Sequence, residues 1–202
     1  MKSETQRGSP KGDKRARTRA RLLDAALELT REKGFEQTTM QEIAHRAGVS
    51  TGSIYGNFRN RDELFMALAE RQWAPVVPEL RPGASFAELM DAVAAATLAA
   101  MPHRQPAAVG ALTFRAYALR HEDVRARFRD VMAAGYDAGA AWLLSMFDEQ
   151  DLPMPPDVLV RVINSLVEGL TFQRILTPEL ISDEVVYEAF RALARPSGGS
   201  DP

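Results

Sequence analysis

Residues 39–61, Thr-Met-Gln-Glu-Ile-Ala-His-Arg-Ala-Gly-Val-Ser-Thr-Gly-Ser-Ile-Tyr-Gly-Asn-Phe-Arg-Asn-Arg, constrain this chain more than any other stretch. Thr39 and Glu42 have capping-box spacing, which sets the start of a helix at Met40. Met40, Ile43, Ala44 and Ala47 then fall on one face at i, i+3, i+4 and i+7. Gly48 can adopt the left-handed backbone that ends such a helix at little steric cost. Ser50 caps a second helix, with Val49 and Ile54 spaced as a hydrophobic staple. The large apolar residues from Met40 to Phe58 are thereby committed to packing. What the second helix shows outward is Ser50, Thr51, Gly52, Ser53, Tyr55 and Asn57, all small, polar or aromatic and none charged. A face that short can be pressed against a groove floor. Two short helices across a tight glycine turn, the second with such a face, make the helix-turn-helix that reads duplex DNA.

The surrounding pattern resembles the TetR (TetR/AcrR) family of bacterial transcriptional regulators. The matching stretch runs from about Arg17 to Leu68. It comprises an amphipathic first helix, then Gly34-Phe35, Thr38-Thr39, Ile43-Ala44, Ala47-Gly48-Val49-Ser50, Gly52, Ile54-Tyr55, Phe58, Arg61 and Leu64-Phe65. Arg61 stands where the family most often has lysine, so positive charge is kept. Beyond Leu68 the resemblance is one of architecture. It implies an all-α fold of about nine helices: a three-helix DNA-binding head and a helical body that binds ligand and dimerises.

Charge is distributed to match. The net charge is −2, yet residues 1–61 hold 13 Lys and Arg against 7 Asp and Glu, while residues 62–202 hold 12 against 20. A basic head on an acidic body is the footprint expected when one end alone meets phosphate. With 46% hydrophobic residues the chain has material for a core, and no apolar run reaches membrane-spanning length. The amino terminus is polar and basic without an apolar signal core, which argues against export. The absence of cysteine excludes disulfides and thiolate chemistry and fits a reducing cytoplasm.

The expected organisation is a basic arm over 1–14, the DNA-binding domain over 15–60, the ligand-binding and dimerisation domain over 61–195, and a Ser/Gly tail over 196–202. Leu22, Ala26 and Leu29 mark a first helix stopping at Gly34. Pro75, Pro78 and Pro82 end the helix that follows the reading motif. Alanine-rich periodic stretches cover 85–101, 106–119 and 121–148, a helix runs from Asp157 to about Leu176, and Ser182 caps a last one. Nothing alternates at period two, so no sheet is expected.

Roles follow from residue type. Thr39 can offer hydroxyl and backbone N–H to a phosphate. Tyr55 and Asn57 carry polar tips toward the DNA backbone, and by resemblance both positions are phosphate contacts. Arg61 has the planar fork suited to a phosphate. Ser50, Thr51 and Ser53 are the base readers, and Gly52 lets the helix approach. Arg15, Arg17, Arg19 and Arg21 either reach DNA or form a solvated helix start. One reading helix covers few base pairs, so two heads on an inverted repeat are expected. The dimer surface is assigned to 121–148 and 157–176, from the small residues at 133–141 and the stripe Leu159, Ile163, Leu166 and Leu170. The same stripe would equally serve an intrachain core.

In the body, Phe86, Met90, Phe114, Tyr117, Tyr136, Trp142 and Phe172 are candidates to line an adaptable apolar cavity, with His121 to orient a small-molecule effector. His121 and its acidic neighbours are adjacent in sequence and point to different helix faces, so no metal and no cofactor is expected. No nucleophile–base pair or phosphate loop suggests an enzyme. The reading is a cytoplasmic, homodimeric repressor released from double-stranded DNA by a small apolar molecule. An activator, an effector-less regulator and an enzyme domain with a DNA-binding head are the alternatives.

Overall fold

The computed structural model describes residues 11–195, which contain nine α-helices and no strand. They are α1 (Lys11–Lys33), α2 (Met40–Arg46), α3 (Thr51–Asn57), α4 (Arg61–Gln72), α5 (Phe86–Arg104), α6 (Ala108–Ala118), α7 (Glu122–Leu144), α8 (Pro156–Leu176) and α9 (Asp183–Ala194). Helix α1 begins earlier than expected, inside the presumed basic arm. The rest of the arm, 1–10, and the tail, 196–202, lie outside the described residues.

The helix starts have local causes. Thr39 caps α2 and Ser85 caps α5 through complete capping boxes with Glu42 and Glu88, while Ser50 and Ser182 cap α3 and α9 by accepting from the third N–H. Gly48 takes φ 63°, the left-handed conformation that lets the chain leave α2 and turn into α3.

The chain divides into two compact units. The first contains the residues up to Gln72 together with Val109–Tyr117. Its core is Leu22, Ala26, Ile43, Ile54 and Leu64, all fully buried, with Phe35 and Phe58. Phe35 is a hub, with ring centroids 4.6 Å from Phe65, 5.6 Å from Phe114 and 5.2 Å from Tyr117. Each ring pair of this kind contributes about 0.5–1.5 kcal/mol beyond area burial. A Cβ at Gly110 would lie 2.9 Å from the Thr30 methyl, so α6 approaches α1 where only glycine fits. The boundary expected at residue 60 therefore shifts: α4 and most of α6 group with the helix-turn-helix because their aromatic residues complete its core.

The second unit contains Trp73–Ala108 and the residues from Ala118 onward. In it α5 packs against α9 and α7 against α8. Leu89, Met90, Val93, Leu143, Leu159, Val186 and Phe190 form the core, with Ile163, Leu166 and Leu170 packed against it. The stripe assigned to a dimer surface thus turns into the unit's own interior. Gly139, one of the small residues given to that surface, also faces inward, since a Cβ there would lie 2.9 Å from Val160 Cγ1.

Candidate nucleic-acid interface

The reading motif is presented as its pattern demands. Met40, Ile43 and Ala44 of α2 and Ile54 of α3 are buried, and Phe58 closes the core behind α3. Ser50, Thr51 and Gly52 are exposed and Ser53 half-buried. Tyr55 is 47% exposed, a large share for an aromatic ring, and stands on the same outer surface. A Cβ at Gly52 would meet only Ser50 Oγ, at 3.9 Å, so that flank of α3 stays low by composition rather than by crowding. Ser50 Oγ accepts from Ser53 N–H at 3.2 Å, which leaves its own O–H to donate outward.

Thr39 is exposed at the start of α2, but its donors are engaged with Glu42. The Thr39 N–H donates to Glu42 Oε2 at 3.0 Å and its hydroxyl donates to the same oxygen at 2.6 Å. Lys33 donates to the other carboxylate oxygen. The Lys33 ammonium, and then the Thr39 hydroxyl and N–H, hold the Glu42 carboxyl at about 2, well below its ordinary 4.5. A phosphate approaching Thr39 would have to displace this carboxylate.

Two residues expected at phosphates are turned elsewhere. Asn57 is half-buried, its Nδ2 donates to the Ser53 carbonyl at 2.8 Å, and its Oδ1 is buried with no hydrogen-bond partner among the described residues. Its amide is therefore folded against its own helix. Arg61 points into the head. Its Nε donates to the Thr38 carbonyl at 3.1 Å and its Nη2 to the Phe35 carbonyl. Its Cζ lies 4.0 Å from the Phe35 ring centroid and 4.8 Å from that of Phe65. Desolvation lowers the pKa of this guanidinium from its ordinary value.

The first-helix arginines show the same habit. Arg21 donates to the Ala47 carbonyl and Arg19 Nη1 to the Asn57 carbonyl at 3.1 Å, with Arg15 Nη2 3.5 Å from the Gly56 carbonyl. Arg19 also lies over Phe58, 4.2 Å from its centroid. These carbonyls end α2 and α3, where intrahelical donors run out and the helix dipole is negative. The sequence leaves these arginines open to DNA or to solvent and carries no signal of this third role. The i, i+4 arrangement of Arg15 and Arg19 gives their spacing but not what lies above them. At the surface, Arg46 pairs with Glu32 through two bonds of 2.7 Å and Arg59 pairs with Glu63. Such exposed pairs are screened by water and exchange readily for other partners.

The cavity candidates do not form one group. Phe114 and Tyr117 belong to the first unit, packed on Phe35. Met90 is fully buried in the second unit's core, and Phe86 and Trp142 pack against it. Phe172 stacks on Trp73 with centroids 5.1 Å apart, and Asn164 Nδ2 reaches the Tyr136 hydroxyl at 3.5 Å. His121 is exposed at the start of α7. Among the described residues no cluster of metal-ligating side chains occurs, and no helix is long and apolar enough to cross a membrane.

Residues 22–68 match the family described as "Bacterial regulatory proteins, tetR family". The uncharacterized HTH-type transcriptional regulator YvkB of Bacillus subtilis is 47% identical over 51 residues, 25% of this chain and 27% of that protein. The HTH-type transcriptional regulator SrpR of Pseudomonas putida is 32% identical over 84 residues, 42% of this chain and 39% of its own length. The chain thus aligns with well under half of either relative. Over most of its length it is similar in fold to the multidrug binding protein EbrR, solved with imidazole (22% identity, TM-score 0.65, covering 96% of this chain and 100% of that one). It is similar likewise to NalD of Pseudomonas aeruginosa, the secondary repressor of a multidrug efflux pump (24% identity, TM-score 0.58, covering 89% and 98%).

Proposed function

Given that the chain belongs, through residues 22–68, to the tetR family of bacterial regulatory proteins, we propose that it is a cytoplasmic, homodimeric, sequence-specific repressor released from an inverted-repeat operator by a small, largely apolar effector. The observation that carries the DNA reading is the outer face of α3. Ser50, Thr51, Gly52, Ser53 and Tyr55 stand out from a helix whose other side is locked into the head by Ile54 and Phe58. Ser and Thr hydroxyls can donate to or accept from base edges and the Thr51 methyl can meet a thymine methyl. Tyr55 and Thr39 are proposed at the flanking phosphates, Thr39 by exchanging Glu42 for phosphate oxygen. Asn57 and Arg61 are withdrawn from that set.

The homodimer reading now rests on faces that the second unit leaves outward. Along α8, Val158, Val162, Ser165, Gly169 and Leu176 recur at helical spacing, and Val158, Gly169 and Leu176 are exposed. Along α7, Val131, Ala134, Ala138 and Ala141 do the same. Paired across a two-fold, small and apolar side chains of this kind permit close helix packing. The effector reading draws on Phe86, Met90, Tyr136, Trp142 and Phe172 in the second unit, with His121 as a polar candidate. The multidrug binding reported for EbrR, a protein of similar fold, supports it.

Footprinting on the promoter of its own gene and of its neighbours tests the proposal. Two protected half-sites are expected about one helical turn, ~34 Å, apart or at a related spacing. Changing Thr51 or Ser53 should alter base preference there. Coverage that is independent of sequence would refute the specific-repressor reading.

A further inference from the structure

We propose that Arg61 is a positioning residue of the reading head, which seats the α1–α2 connection and through it the pitch of α2 and α3, rather than a phosphate ligand. The inference rests on the DNA-binding reading above but concerns a different part of the motif. A guanidinium that meets a phosphate must present its fork outward. Here two of its donors are committed to main-chain carbonyls within one short connection, those of Phe35 and Thr38. The plane is held between those carbonyls and the Phe35 and Phe65 rings, whose own centroids are 4.6 Å apart.

The connection it holds is short and stiff. Thr38 is buried and its hydroxyl donates back to the Gly34 carbonyl at 2.8 Å. Thr39 follows at once as the N-cap of α2, and α2 packs on α3. Arg61 itself opens α4, so one side chain ties the start of α4 to the loop that starts α2. Lysine could not reproduce this: an ammonium is a point charge without the flat fork that bonds two carbonyls while stacking on a ring. The arginine in this chain therefore does geometric work that a lysine at the same place would not.

Arg61→Lys and Arg61→Gln in the full chain test this, read by operator titration over a salt series and by amide hydrogen exchange. The expected result is that lysine fails to rescue. Both variants should bind the operator about tenfold or more weakly, while the slope of log affinity against log salt stays as in wild type. Exchange should quicken at the amides of 38–42, with protection across α1 and α4 retained. Wild-type affinity in Arg61→Lys would overturn the proposal. So would a slope reduced by roughly 0.9 in Arg61→Gln, the signature of one lost phosphate contact. Loss of protection throughout the head would also overturn it, by making Arg61 a general support of the fold. If the wild-type chain binds no duplex, the DNA reading fails on its own, while the exchange pattern still decides whether Arg61 seats the connection.

Discussion

Replacing Gly169 by glutamate should move protomer stability and assembly in opposite directions. Gly169 lies exposed on α8, and a Cβ built there has no neighbour within 4 Å, so the protomer has room for a side chain. Within one chain the change replaces the poorest non-proline helix former, a gain of about 0.5–1 kcal/mol. Across a two-fold the same residue would meet its own copy or the small residues beside it. Two carboxylates would then be stripped of water without partners, at a cost of about 3–5 kcal/mol. That corresponds to a roughly 150- to 5,000-fold weaker dimer. Sedimentation velocity over a dilution series should show monomer where the wild type is dimer, and urea unfolding should show a monomer at least as stable as before. Operator affinity should fall although the head is untouched, because two half-sites no longer share one binding event. A Gly169→Glu chain that dimerises with wild-type affinity would refute the assignment of this face. Leu166, by contrast, is a poor probe, since it packs on the protomer's own core and its replacement would confound folding with assembly.

Acidification should release the start of α2: Glu42, held at about 2 in the folded chain against an ordinary 4.5, stabilises that cap fully above about pH 4.5 and loses it as pH falls toward 2. Carboxyl-carbon NMR should show the low midpoint, and a Glu42 midpoint near 4.5 would contradict the Lys33–Glu42–Thr39 arrangement. Gly48→Ala should cost the head about 1–2 kcal/mol for a left-handed non-glycine residue, with added crowding against Arg21 Nη2, 3.0 Å from the new Cβ. Urea unfolding measures it, and an unchanged midpoint would mean that the α2–α3 turn relaxes freely.

The helix-turn-helix was legible in the sequence because its determinants are local. Thr39 and Glu42, Gly48, and Ser50 act within four residues of where they stand, and periodicity alone sorts Ile43, Ile54 and Phe58 from Ser50, Thr51 and Tyr55. The proline breaks and the Ser182 cap are local in the same sense, so the succession of helices could be read with boundaries a few residues off. What the sequence left open was direction at long range. A stripe such as Leu159, Ile163, Leu166 and Leu170 states that a face is apolar, not whether α5 and α9 of the same chain or a second chain will cover it. Phe114 and Tyr117 carry no mark that sends them to Phe35, because that meeting depends on α6 folding back over α1 some eighty residues away. The arginines illustrate the limit most sharply. Positive charge near a reading motif suits a phosphate and an orphaned carbonyl equally well. Only the tertiary arrangement, by bringing the ends of α2 and α3 beneath Arg19 and Arg21 and the Phe35 and Thr38 carbonyls beneath Arg61, decided which of the two each guanidinium meets.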